Sequence, residues 1–152
     1  MTFVDALALR RAFNARKNDD DDDNDNDDDN DMGRSRNFRE YAVWKDAVAY
    51  ATFVYEATSK MPWFEKKGLS DQLQRAVISI SSNIAEGSAR PTDADFAHFL
   101  DIALGSAFEV ETQLVIAKSI GYLDENQYQE LITKLSSVER QLNGLINTIR
   151  NS

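Results

Sequence analysis

The amino-acid sequence predicts an all-α fold: an antiparallel, up-down-up-down four-helix bundle over residues 34–152, behind a disordered, aspartate-rich N-terminal tail over residues 1–33. Three observations predict it. Between positions 37 and 150 the apolar residues recur at alternating spacings of three and four, the period of one helix face. Cap signatures, prolines and glycines cut that pattern into four segments. No segment of alternating apolar and polar residues is left over to make a strand.

The tail comes first in the chain. Residues 18–31, NDDDDDNDNDDDND, hold ten aspartates and no apolar side chain able to offset the entropy of ordering. A calcium loop starting at Asp27 would place Asp29 and Asp31 correctly, but the glycine falls one position late at Gly33 and the twelfth position is Phe38, which has no oxygen ligand. The run is therefore read as solvated linker. The opening MTFVDALALRRAF makes a poor signal peptide, because Asp5 interrupts it and the arginines follow the apolar stretch. Simple disorder is expected there rather than a short amphipathic membrane helix.

The first helix is expected to start at Asn37, with the Asn37 side chain as cap and Glu40 reaching back to it. Its apolar stripe is Tyr41, Trp44, Val48, Ala51 and Tyr55; Pro62 lies shortly beyond its end. A second stripe, Val43, Ala47, Tyr50 and Val54, lies on another face. One bundle core needs one stripe, so the other should meet something else. The second helix is expected from Ser70, presenting Leu73, Val77, Ile80 and Ile84 and ending near Gly87 as a left-handed C′ residue. The third opens with Thr92 and Asp95 as a capping box and carries Phe96, Leu100, Ala103, Ala107, Val110, Leu114 and Ala117, with Gly121 closing it. The fourth has Asp124 as cap, Gln127 at the third position, and a Leu123–Tyr128 staple. Its seam is Tyr128, Leu131, Leu135, Val138, Leu142, Leu145 and Ile149. Short connections force neighbouring helices to run antiparallel.

Composition narrows the function classes. At 152 residues and 42% apolar content the chain has room for one domain with a core. No apolar run approaches the roughly 20 residues that cross a bilayer. The absence of cysteine excludes disulfides, thiolate metal sites and cysteine nucleophiles, and suits a reducing cytoplasm, the expected location. The net charge of −9 belongs to the tail: residues 1–33 hold eleven of the 26 acids and four of the 17 bases, leaving fifteen acids and thirteen bases for the bundle.

Few residues offer chemistry. His98, three positions after Asp95, supplies half of the carboxylate-x-x-His pair of di-iron bundles, but a complete site needs two pairs and there is one histidine. No metal or other cofactor is expected. Ser79, Asn83 and Glu86 fall at i, i+4 and i+7 on the second helix, and Ser106, Glu109 and Gln113 fall at i, i+3 and i+7 on the third. These rows are expected to form a cross-helix hydrogen-bond network, each bond contributing about 1 kcal/mol. The competing reading makes Glu86 and Glu109 a carboxylate pair for acid and base work, but nothing supplies a nucleophile or oxyanion hole. Basic residues gather at Arg34, Arg36, Arg39 and Lys45, and again at Lys66, Lys67, Arg75 and Arg90. They are the candidate nucleic-acid contacts, although groups this small bind phosphates weakly unless an oligomer multiplies them.

Three segments carry a family resemblance: GLSDQLQRAVISISSNIAEG at 68–87, FAHFLDIALGSAFEVETQLVIAKSIGY at 96–122, and FREYAVWKDAV at 38–48. They closely resemble the 23S rRNA intervening-sequence proteins over roughly residues 37–150. The resemblance implies an antiparallel bundle assembling into a homopentameric ring, which would give the second stripe of the first helix a partner. A related branch, the accessory variability determinant proteins of diversity-generating retroelements, is markedly basic and binds nucleic acid and a reverse transcriptase; Arg75 is the matched position to test first. The expected function is a non-catalytic, homo-oligomeric adaptor for RNA or a ribonucleoprotein. The alternative is a purely protein-binding scaffold without nucleic-acid contact.

Overall fold

A computed structural model describes residues 36–152. The aspartate run, the calcium-loop register at Asp27 and Arg34 lie outside the described residues. Among the described residues, four α-helices follow one another: α1 (Ala42–Ser59), α2 (Leu69–Ser88), α3 (Asp93–Ser119) and α4 (Glu125–Arg150). Short 3-10 helices precede α1 (Phe38–Glu40) and join α1 to α2 (Trp63–Lys67). Among the described residues there is no strand. Each helix packs on its neighbours in sequence, α4 also packs on α1, and the diagonal pairs stay apart. This is the up-down-up-down four-helix bundle that the sequence predicts.

The core is one continuous cluster. α3 buries Phe96, Leu100, Ala103, Ala107, Val110, Leu114 and Ala117, the whole expected seam. The three alanines let a neighbouring helix come close. From α1 the core takes Val43, Ala47, Tyr50 and Val54, while Val48 and Tyr55 of the other stripe remain exposed. On α4 the seam runs through Leu131, Leu135, Val138 and Leu142, then to Ile146 instead of Leu145. A nearly straight helix of 3.6 residues per turn drifts off a strict 3,4 repeat, and the added step of four absorbs that drift.

Three helix ends depart from expectation. Asn37 does cap, accepting from the Arg39 amide at 3.2 Å, but it caps the 3-10 turn Phe38–Glu40, and Glu40 accepts from the Asn37 side chain rather than its backbone. Tyr41 is extended (φ −68°, ψ 122°), so α1 starts only at Ala42. Gly87 lies inside α2 and not in a left-handed cap; among the described residues only Gly121 has positive φ, at 85°. Gly87 is needed for closeness: a Cβ there would stand 2.5 Å from Phe99 Cβ and 3.0 Å from Phe96 Cδ2. Of the two expected capping boxes, the one at Asp124 forms in full, whereas at Thr92 the Asp95 carboxylate bonds the Thr92 hydroxyl instead of its backbone N–H. Thr92 Oγ1 accepts from the Asp95 amide at 3.1 Å and donates to the Asp95 carboxylate at 2.6 Å. Asp124 accepts from the Gln127 amide at 2.8 Å while Gln127 Oε1 accepts from the Asp124 amide at 3.0 Å.

Candidate functional site

Two features could carry function, a polar seam between α2 and α3 and the basic residues at the two ends of the bundle. The seam is anchored where Ser79 Oγ and Ser106 Oγ meet at 2.8 Å. Asn83 Nδ2 donates to the Ser79 carbonyl at 2.7 Å and to its hydroxyl at 2.9 Å. Further along α3, Gln113 donates to Glu109 Oε1 at 3.2 Å, and its own buried Oε1 finds no protein partner. The two polar rows therefore join through one cross-helix bond. Glu86 stands apart from them, bound at 2.9 Å to Arg90. Glu86 and Glu109 are both exposed and separately engaged, so the structure does not bring them together as a carboxylate pair. His98 is exposed with its ring edge-on to Phe99, Asp95 serves the Thr92 cap, and no described group of three or more His, Asp or Glu residues could hold a metal ion.

The basic residues divide into tied and untied. Arg36 donates Nη1 to the Arg90 carbonyl at 2.8 Å, pairs through Nη2 with Asp93, and lies over the Phe96 ring at 5.1 Å. Arg90 in turn bonds Glu86 and stacks on Phe99 at 4.4 Å. Arg36 thus clamps the chain entering α1 to the α2–α3 turn, and Arg90 ties α2 to α3 beside it. Arg75 is exposed and pairs with Asp71 one turn away at 2.8 Å. Such a pair in water adds little stability but partly neutralises the guanidinium. Arg39 rests on the Phe38 ring at 4.5 Å, and Lys45, Lys66 and Lys67 are exposed without a described ion-pair partner.

Lys66 and Lys67 belong to a cluster that the helical pattern passed over. Lys60 stands on the same connection, and between these lysines lie Trp63 and Phe64, 81% and 59% exposed. The sequence signal was an aromatic pair straight after Pro62, outside every apolar seam and flanked by lysines at 60, 66 and 67.

With this geometry in view, the comparisons place the chain. The sequence profile described as 23S rRNA-intervening sequence protein matches residues 39–144, about seventy per cent of the chain. The chain belongs to this family. A solved structure in the same fold is the 1.70 Å crystal structure of a protein of unknown function from the S23 ribosomal protein family of Bacteroides thetaiotaomicron. It is 25% identical, with a TM-score of 0.63, and the match covers 69% of this chain and 98% of that one. No curated protein matches. The segments that carried the resemblance, 38–48, 68–87 and 96–122, build α1, α2, α3 and the turns beside them, and all but the first residue of the earliest lie within the matched range. No described helix is long and apolar enough to cross a membrane.

Proposed function

We propose that this 23S rRNA-intervening sequence protein is a non-catalytic, self-associating helical bundle that works in the cytoplasm as an adaptor for RNA or a ribonucleoprotein. One observation carries the self-association: large apolar side chains stand open on three helices, Ile78 of α2 among them. Val48 and Tyr55 project from α1, and Ile102, Phe108, Val115 and Ile116 from α3. A head-to-tail ring needs two distinct faces of this kind on each protomer, one to give and one to receive. The resemblance to the family supplies the expected number, five. Open apolar faces on a chain whose core is already filled favour association over a solitary monomer.

The RNA component draws on the family's description and on the ribosomal-protein family of the Bacteroides chain. The untied lysines supply the attraction, and a ring would repeat them around its axis. The non-catalytic component draws on the polar seam, where Ser79 and Ser106 bond each other, Glu109 accepts from Gln113 and Glu86 accepts from Arg90. Light scattering on the intact protein tests the assembly; the expected mass is a multiple of the protomer, and a monomer at micromolar concentration refutes it. Electrophoretic shifts titrated with salt test the RNA component, since binding that neutralises phosphates weakens steeply as salt rises. No shift at about 50 mM salt would leave the purely protein-binding scaffold.

A further inference from the structure

At the end of the bundle where α1 gives way to α2, the chain holds two aromatic rings in water. The 3-10 helix Trp63–Lys67 turns its one acid inward. Glu65 Oε2 accepts from the Leu69 amide at 2.8 Å, closing the N-terminus of α2, and Oε1 accepts from the Tyr122 hydroxyl at 3.0 Å. The segment is thereby braced against the α3–α4 connection while neither ring is buried. Trp63 and Phe64 stand 6.1 Å apart, centroid to centroid, with planes crossed at 79°. Lys60, Lys66 and Lys67 flank them, and none pairs with a described carboxylate.

Untied ammonium groups suit an anion, and open ring faces suit a flat apolar group. Single-stranded nucleic acid offers both along one strand: every base has a face to stack and every linkage a charge. A duplex hides its base faces inside the stack. A lipid surface also accepts tryptophan beside lysine, but interfacial anchoring draws on a long apolar helix face lying in the membrane plane. The two crossed rings stand on a five-residue turn instead, with ring faces open to solvent.

We propose that this tip is a contact for single-stranded RNA, with Trp63 and Phe64 stacking bases and Lys60, Lys66 and Lys67 taking the adjoining phosphates. The inference rests on the RNA reading above and names the surface that serves it. The test uses the full chain with a short unstructured RNA strand, the blunt duplex of the same sequence, and vesicles of phosphatidylserine and phosphatidylcholine. Trp63→Ala and Phe64→Ala are each expected to weaken single-strand binding about 5- to 100-fold, since stacking on one ring is worth that much per base. The triple change Lys60→Gln, Lys66→Gln and Lys67→Gln is expected to flatten the salt dependence by about two, at about 0.7 per phosphate contact on a single strand. The duplex should bind more weakly than the strand. Wild-type binding that none of these changes alters overturns the tip and leaves the RNA reading to another surface. Absence of RNA binding by the wild type overturns both. Vesicle binding lost in Trp63→Ala, with RNA binding unmoved, overturns the proposal in favour of a lipid contact.

Discussion

At the scale of single residues, glycine and tyrosine positions make opposite demands on the core. Gly87 admits α3 to α2, and an alanine there must push Phe99 Cβ, which sits on its own helix backbone and cannot swing away. Gly144 on α4 has nothing within 4 Å of the missing Cβ. Gly87→Ala is therefore expected to cost about 1–3 kcal/mol from overpacking. Gly144→Ala should gain about 0.5–1 kcal/mol from helix propensity. Urea unfolding of the two variants checks the pair, and equal effects would refute the assignment. Tyr50 is 2% exposed and its hydroxyl has no protein partner; burial, and then the Glu139 carboxylate, push its ionisation far up. Tyr50→Phe is expected to be neutral or to stabilise by about 1 kcal/mol, because it removes a polar atom without orphaning another. Glu139 is pushed up by burial and then by Glu111. A carboxyl raised in the folded state holds its proton more tightly there than when unfolded. Its stabilising contribution is thus full below the ordinary carboxylate range and is lost as pH rises through the raised value. Glu139→Gln should remove that loss, so the variant gains on wild type between about pH 4 and pH 7 in denaturant titrations. Glu125 works the other way, lowered by its bond to Lys118, and taking the difference between the two proteins cancels it.

At the scale of elements, the legible features were those with a local cause. The side-chain caps at Thr92 and Asp124 read directly from residues three apart, and the α3 seam read from a repeat with no rival. α1 was ambiguous because two stripes were apolar. The Val43–Val54 stripe goes to the core, while Tyr41 and Trp44 lie at its margin against Phe96 and Phe38, with centroids 5.9 Å and 5.0 Å apart. That choice depends on what the neighbouring helices present, which no window of sequence contains. The partners of Arg36 were illegible for a related reason: charge is visible in sequence, but a partner 54 or 57 residues away is not. Arg36 acts as a clamp, so Arg36→Ala is expected to cost about 1.5–3 kcal/mol through its lost charge-assisted bonds, and to speed amide exchange at the α2–α3 turn. Its RNA affinity should stay within about twofold of wild type once folding is matched, unlike that of a residue neutralising a phosphate. A drop in affinity without a drop in stability would return Arg36 to the interface.

At the scale of the whole molecule, charge and assembly act on each other. Residues 36–152 close a core yet leave Phe108 and Ile116, 51% and 46% exposed, on α3. Phe108→Glu with Ile116→Glu is expected to reduce the mass seen by light scattering to the protomer while leaving helical circular dichroism intact, because neither side chain belongs to the core. An unchanged mass would move the interface elsewhere. The acidic residues bear on the other half of the function. Removing residues 1–33 takes away eleven acids and four bases and moves the formal charge from −9 to −2. Ten of those acids fall within the fourteen positions 18–31, a density of negative charge that competes with phosphates for any lysine within a Debye length of roughly 10 Å. The shortened chain is therefore expected to bind single-stranded RNA more tightly than the full chain. The gain should be largest at about 50 mM salt and fade by about 200 mM, as screening removes a repulsion that acts through solvent. Equal or weaker binding by the shortened chain would mean that the acidic segment does not oppose the lysines. A gain independent of salt would point to steric cover instead of charge. Such cover would lift on deletion at every ionic strength, whereas competition between carboxylate and phosphate for the same ammonium groups cannot survive their screening.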